Sequence, residues 1–314
     1  MTKIQIANLE VNTPVEIVAI LKDIRLAPFR NKDGNFLAAK ISDKTGNIDV
    51  KMWDNAEAAV NNLNAKDIVI VRGKVDSFNG VLSITASSIA SFDGALDPAD
   101  FLPCYEGDTE ALCEKLDEAI ASIKNEELHK LVDHILNDPV IGREYRIAPA
   151  AVSMHGAYLY GLLEHILKCV EIAEIIARTY PDIDRDLLIS GVLLHDIGKI
   201  MEYSYDMSID QTLEGGLIGH IVMGDRLINE RAKELGISKE ITLKISHLIL
   251  SHHGVPEYGT VVYPKTLEAI ALHCVDYTEA KLTRIATTLS KVEENTWSEF
   301  DKHDNHKWIK FSPI

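Results

Sequence analysis

Cysteine is scarce in this chain and follows no pattern. Cys104, Cys113, Cys169 and Cys274 form no CxxC pair and no evenly spaced framework. That excludes a disulfide scaffold and a zinc knuckle, and leaves four small buried hydrophobes. Long apolar runs are missing too. Nothing approaches the ~18 residues that would span a bilayer, and the opening MTKIQIANLE lacks the apolar core of a secretion signal. A cytoplasmic protein with no membrane partner is expected. Internal repeats and low-complexity tracts are also absent, which excludes solenoids and biased linkers. Excess positive charge is absent as well: the net charge is −16, which argues against a nucleic-acid partner held by bulk charge.

The charge is unevenly distributed. Residues 1–95 carry 11 basic and 11 acidic side chains, so the whole deficit lies in residues 96–314, with 21 basic and 37 acidic. A chain of 314 residues, 46% apolar and 25% charged, has room for two cores. Two unlike halves imply two jobs.

The first half reads as strands. Residues 14–28, PVEIVAILKDIRLAP, are rich in Val and Ile, and FRNKDGN carries turn chemistry in Asp33-Gly34. FLAAKIS, the turn DKTG and NIDVKMW follow. In the last of these Ile48, Val50 and Met52 alternate with Asp49, Lys51 and Trp53, the period of a half-buried strand. Residues 54–65 suit a short helix. DIVIVRGKV, the turn DSFNG and VLSITA complete a fourth and a fifth strand. This order predicts a five-stranded OB-fold barrel over residues 1–91, a fold that binds oligonucleotides on strands 2 and 3 and on nearby loops. Its outward set is Phe36 and Lys40 on strand 2, Lys51 and Trp53 on strand 3, and Arg72 and Lys74 on strand 4. Arg30 and Lys32 lie in the first loop, Phe78 and Asn79 in the last. Rings give bases a platform and cations track phosphates. Singly, each of these residues could equally be a core cap or a solvated lysine; as a set they favour binding.

Residues 92–125 break the strand pattern with FDGALDPADFLPCY and then supply a connecting helix. A second helix is expected over residues 126–137 and a loop over residues 137–151, NDPVIGREYRIAPAA. Beyond, residues 126–314 read as an all-α bundle, with helices at 160–180, 184–200, 215–235, 238–254 and 264–295. The ligand-type residues sit inside those apolar patterns: His165, His195-Asp196, His220, His252-His253 and Asp276. Each would be penalised by burial unless paired or metallated, and imidazole with carboxylate suits divalent transition metals. In LLHDIGK, residues 193–199, adjacent side chains on a helix point ~100° apart. His195 and Asp196 can therefore reach two sides of one centre. His273, one turn before Asp276, and Cys169 read more simply as packing.

His165, His195-Asp196 and Asp276 reproduce the H…HD…D pattern of the HD-domain phosphohydrolases, and His220 with His252-His253 resembles their binuclear variants. An OB-fold followed by HGAYLYGLLEH, LLHDIGK, GGLIGH and LILSHHG resembles, over nearly the whole chain, the YhaM-type bacterial 3′→5′ exoribonucleases. Two positions depart from that pattern, which expects a second His beside His155 and a Gly at Tyr160. The resemblance implies a first metal held by His165, His195, Asp196 and Asp276, and a second held by His220, His252 and His253, with Asp196 bridging. It implies Lys199 as a counter-charge for phosphate and His155 as a grip on substrate. It also implies manganese as the activator, although the ligands alone would accept iron, cobalt or magnesium. The implied substrate is single-stranded RNA, with single-stranded DNA as a second candidate, and a homo-oligomer is compatible with the reading. Competing readings are a phosphodiesterase or nucleotidase for small nucleotides, a di-iron oxygenase on the same ligands, and a non-catalytic strand binder.

Overall fold

The protein is described by a computed structural model over residues 5–29, 33–78, 80–94, 97–153, 156–206 and 208–312. It divides into two compact units, Met1–Pro103 with Asp206–Ser208, and Cys104–Tyr205 with Ile209–Ile314.

The first unit runs β1 (Pro14–Pro28), β2 (Asn35–Asp43), β3 (Gly46–Met52), α1 (Ala56–Asn62), β4 (Ile68–Phe78) and β5 (Val81–Ser91). Alternation of apolar and polar residues sends Ile48, Val50 and Met52 inward while Asp49 and Trp53 stay exposed. The strands close in the order β1-β2-β3-β5-β4, with β4 returning antiparallel to β1 and β3 parallel to β5. That is the OB-fold barrel. Ile17, Leu21, Leu37, Ile41, Val50, Val71 and Ile84 fill it and are almost wholly inaccessible. Each such side chain stabilises the fold by about 1.5–3 kcal/mol. The β2–β3 turn is closed by Asp43, whose Oδ1 accepts from Thr45 N at 2.7 Å and Gly46 N at 3.1 Å. The expected DSFNG turn is shorter than its sequence suggests. Asp76, Ser77 and Phe78 remain paired with Ser83, Leu82 and Val81, because a two-residue connection with Gly80 at φ +80° matches hairpin twist without further residues. Phe78 is therefore the last residue of β4 rather than part of a loop.

The second unit contains α2 (Thr109–Ala121), α3 (Glu126–Leu136), α4 (Ile141–Ile147), α5 (Gly161–Thr179), α6 (Arg185–Leu194), α7 (Lys199–Glu202), the small ribbon β6 (Tyr203–Ser204) with β7 (Asp210–Gln211), α8 (Leu213–Ile218), α9 (His220–Leu235), α10 (Lys239–Ser251), α11 (Leu267–Ser290) and the ribbon β8 (Thr296–Trp297) with β9 (Ile309–Lys310). Side-chain caps start most of the long helices: Asp108, Asn125, Asp184, Ser238 and Thr266 each accept a first-turn N–H. The central helix is α6, buried on every side from Leu187 to Leu194, as a helix apolar all round must be. Gly191 lets α10 come close; a Cβ there would lie 2.6 Å from a Leu248 methyl.

Three expectations need correction. Residues 137–151 are not a loop: α4 forms because Asp138 accepts from Val140 N and Ile141 N at 2.9 Å and both prolines fall outside it. Tyr145 of α4 is fully buried and its hydroxyl donates to the Leu193 carbonyl at 2.5 Å. The helix expected over 184–200 stops at Leu194. The turn that follows is tight because Gly198 rests on the start of α9, where a Cβ would stand 1.9 Å from the His220 carbonyl. The helix expected over 215–235 is broken at Gly219, whose φ of +79° makes His220 the first residue of α9.

Candidate metal centre

Seven side chains from five segments converge. His165 is in the second turn of α5. His195 and Asp196 leave the end of α6, His220 opens α9, His252 and His253 follow α10, and Asp276 lies in α11. His195 and His252 are inaccessible and Asp196 is 2% exposed. Five of the seven are therefore delivered by helix ends, whereas His165 and Asp276 project from within α5 and α11.

Asp196 stands between two groups. Its Oδ2 lies 3.4 Å from His195 Nε2 and 3.7 Å from His165 Nε2, and His165 Nε2 is 3.4 Å from Asp276 Oδ1. Its Oδ1 lies 3.4 Å from His220 Nε2 and 3.8 Å from His252 Nε2. The ligand atoms of His165, His195 and Asp276 form one compact triad, and those of His220, His252 and His253 another. Donors held ~2.1 Å from one ion at tetrahedral angles stand about 3.4 Å apart, so the spacing suits metal ligation.

The outer face of each imidazole explains its aim. His195 Nδ1 donates to the Val192 carbonyl at 2.8 Å, His252 Nδ1 to Ile249 O at 2.6 Å and His253 Nδ1 to Tyr258 O at 2.6 Å. His165 Nδ1 donates to Glu279 Oε2 at 2.5 Å and His220 Nδ1 to Glu202 Oε2 at 2.6 Å. A carbonyl only accepts, so each of these rings has Nδ1 committed and turns Nε2 to the centre, the arrangement that holds a ligating histidine. Asp196 Oδ1, His220 Nε2 and His252 Nε2 are buried without a hydrogen-bond partner. Buried polar atoms left unpaired cost ~1–3 kcal/mol each, and a cation among them removes that cost. The residues present therefore fit a divalent metal.

Charge follows the same division. Burial opposes ionisation of Asp196, yet Lys199 and His195 hold its carboxyl well below the usual range. Burial likewise opposes ionisation of Asp276, and His165 and His195 hold it down. Burial disfavours the His195 cation, but Asp196 and Asp276 push its pKa up to about 10. His165 is raised against the same burial by Cys169, Asp276 and Glu279. His252 and His253 go the other way, lowered by burial and then by neighbouring imidazoles. Protons thus sit where the carboxylates ask for cations. Lys199 Nζ lies 2.7 Å from Asp196 Oδ2; burial disfavours its charge, but Asp196 raises its pKa and keeps it protonated.

Two spaces open on the centre. One of about 70 Å³ is bounded by His165, Lys199, Asp276, Tyr158 and Glu279, room for about two waters. The other is a cleft of about 580 Å³ along His253, Asp276, Tyr258 and Tyr277. Of the residues anticipated from sequence, His155 lies outside the described residues. Glu279 and Glu202 were not anticipated. Glu279 could have been found three residues after Asp276, on the same helical face; Glu202, in a four-residue helix, gave no such signal. His273 does more than pack: its Nδ1 donates to the His252 carbonyl at 2.9 Å. Tyr160, where the resemblance expects glycine, has a φ of +68°, the left-handed region that glycine enters freely.

On the barrel, Phe36 and Trp53 meet at 4.9 Å between ring centroids and are joined by Phe29, 5.9 Å from Trp53. Phe29, an aromatic at the end of β1, was not anticipated. Lys51 pairs with Ala38, midway between Phe36 and Lys40 on β2, so by strand alternation Lys40 and Lys51 lie on the face that carries these rings. Lys51 and Lys74 both face Thr85 of β5, from β3 and β4. Lys40 is 3.8 Å from Asp49, and Arg72 is 2.5 Å from Glu16. Phe78 is 76% exposed at the tip of the β4–β5 hairpin. Arg30, Lys32 and Asn79 lie outside the described residues.

A closed OB barrel joined to a helical unit with this His/Asp centre defines an OB-fold protein of the HD-domain class. Residues 15–91 match the OB-fold nucleic acid binding domain family, and residues 162–281 match the HD domain family. Within that class the chain belongs to the YhaM-type 3′-5′ exoribonuclease family: it is 32% identical over 296 residues to the 3′-5′ exoribonuclease YhaM of Geobacillus sp. (strain WCH70), covering 94% of this chain and 90% of that one. Among solved structures, it is similar to the second OB-fold domain of replication protein A from Methanococcus maripaludis, at 20% identity over 31% of this chain and 100% of that one with a TM-score of 0.26. A crystallised domain of replication protein A from the same organism is 25% identical over 29% of this chain and 94% of that one, with a TM-score of 0.25. Among the described residues no helix is long and apolar enough to cross a membrane.

Proposed function

We propose that this chain is a metal-dependent 3′→5′ exonuclease that hydrolyses single-stranded RNA, and single-stranded DNA as a second substrate, to nucleoside monophosphates. The observation that carries the reading is the placement of Asp196, with one oxygen toward each triad and every surrounding imidazole turned inward by an Nδ1 hydrogen bond. Substrate and polarity follow from the relative's name. His165, His195, Asp196 and Asp276 would hold one ion, and Asp196, His220, His252 and His253 a second, with manganese the expected occupant. Such a pair supplies Lewis acidity, and it lowers the pKa of a nearby water.

The chain's own groups do the rest. Lys199, a buried cation 2.7 Å from Asp196, offsets the charge that develops on the phosphoryl oxygens. Glu202 and Glu279 fix the tautomers of His220 and His165. The aromatic group Phe29, Phe36 and Trp53 offers bases a stacking platform on the barrel.

The test is digestion of 5′-labelled single-stranded RNA with manganese, magnesium, cobalt or iron. A ladder shortening from the 3′ end, lost in Asp196→Ala, is the expected result. Oxygen uptake by the iron-loaded protein without release of nucleoside monophosphate would instead assign the centre to oxidation.

A further inference from the structure

The larger cleft does not enter the account of the centre, yet it shares a wall with it. His253 and Asp276 belong to the seven-residue cluster, and they also line this space of about 580 Å³, within the ~300–1,000 Å³ range of small-ligand sites. Next to them stand two tyrosines fixed to the same residues. Tyr258 gives its backbone carbonyl to His253 Nδ1 at 2.6 Å, and Tyr277 follows Asp276 directly on α11. Their rings are stacked at 17° with centroids 6.1 Å apart, and they remain 54% and 45% exposed. His273 adds a third ring, 6.1 Å from Tyr277, in space that Gly254 leaves open; a Cβ there would lie 2.3 Å from the imidazole. Large aromatic surface left open beside a cluster of buried polar ligands is a costly arrangement for packing alone.

We propose that Tyr258 and Tyr277 form the seat on which the terminal nucleobase of a single strand stacks while its phosphodiester lies at the cluster; this rests on the exonuclease reading above. A group that occupies the cleft has His253 and Asp276 of the cluster and the two tyrosine rings in its lining, together with Lys281, Arg284 and Asp304. A nucleotide suits that lining, with a planar ring one sugar away from a phosphate. The centroids are too close for a base to enter between the rings, so it stacks on an outer face. Stacking of this kind accepts every base, since each has a π-face, as complete digestion of a mixed sequence requires.

The experiment uses the full chain with manganese and 5′-labelled RNAs that end in an ordinary or an abasic 3′ nucleotide. Wild type and the Tyr258→Phe, Tyr277→Phe variant should show KM raised about 5- to 150-fold for the abasic end, the worth of one stacked base. Tyr258→Ala, Tyr277→Ala should show the raised KM on the ordinary end and no further loss on the abasic one. Wild type treating both ends alike, or the alanine variant still discriminating between them, overturns the seat. Titration with AMP and with ribose 5-phosphate separates this from failure of the nuclease reading. If RNA is not hydrolysed but AMP binds more tightly than ribose 5-phosphate only while the tyrosine rings are present, the seat stands without the nuclease. Equal binding of the two removes the seat. Matching circular dichroism of the alanine and phenylalanine variants verifies folding.

Discussion

A histidine can present one nitrogen to a metal only when the other is committed elsewhere, and at His165 that commitment is Glu279. The carboxylate is 4% exposed, bonds His165 Nδ1 at 2.5 Å and accepts the Thr283 hydroxyl at 2.6 Å. Its negative charge makes the imidazole more basic as well as holding its orientation. Glu279→Gln removes the charge and leaves one oxygen, which can still accept from His165 Nδ1 while the amide NH2 meets the Thr283 hydroxyl as a donor. Metal affinity should therefore fall ~10–100-fold with little change in folding, the usual cost of losing such a partner, and competition of the purified protein with a chelating dye measures it. Unchanged affinity would mean that Glu279 serves packing alone.

At the scale of elements, the site depends on where helices stop. The buried run of α6 ends at Leu194, and the turn through Gly198 places His195 and Asp196 beside the first residue of α9. Gly198→Ala puts a methyl 1.9 Å from the His220 carbonyl. That is a backbone atom with no rotamer to yield, so the two segments must part. A loss of ~1–3 kcal/mol is expected, as for overpacking, together with loss of most hydrolysis because His220 moves off Asp196. Thermal melting and the RNA ladder read the two effects separately. The same stops explain what the sequence disclosed. Helical periodicity exposed α5, α10 and α11, and the strand period exposed β3, because both are repeated along the chain. The break at Gly219 and the early end of α6 are tertiary, set by one backbone lying against another, and no local pattern records them. Helix α4 was hidden by prolines that turn out to flank it. The seven centre residues were legible because each interrupts an apolar run. Tyr258, Tyr277, Glu202 and Phe29 interrupt nothing and became visible only through their neighbours in space.

Over the whole molecule, the charge imbalance becomes a division of labour. The acid excess belongs to residues 96–314, where carboxylates draw cations to the centre and repel phosphate, so strand capture falls to the charge-balanced barrel. There the cations are not equivalent. Lys40 and Arg72 are each engaged by a carboxylate, whereas Lys51 and Lys74 flank Thr85 across β3, β5 and β4. A cation already neutralised within the protein releases few counterions when a phosphate arrives. For a single strand each phosphate contact contributes about 0.7 to the slope of log K against log salt. Lys51→Gln and Lys74→Gln should therefore each lower that slope by about 0.7, and Lys40→Gln and Arg72→Gln by clearly less. Phe29→Ala and Trp53→Ala should weaken binding by ~1–3 kcal/mol per stacked base at every salt concentration while leaving the slope alone. Fluorescence anisotropy of labelled RNA on chelator-treated protein, where no hydrolysis competes, reads both quantities. A slope that ignores Lys51 and Lys74 would move the strand to another face of the barrel, and an affinity that ignores Phe29 and Trp53 would leave those rings as a cap on its core.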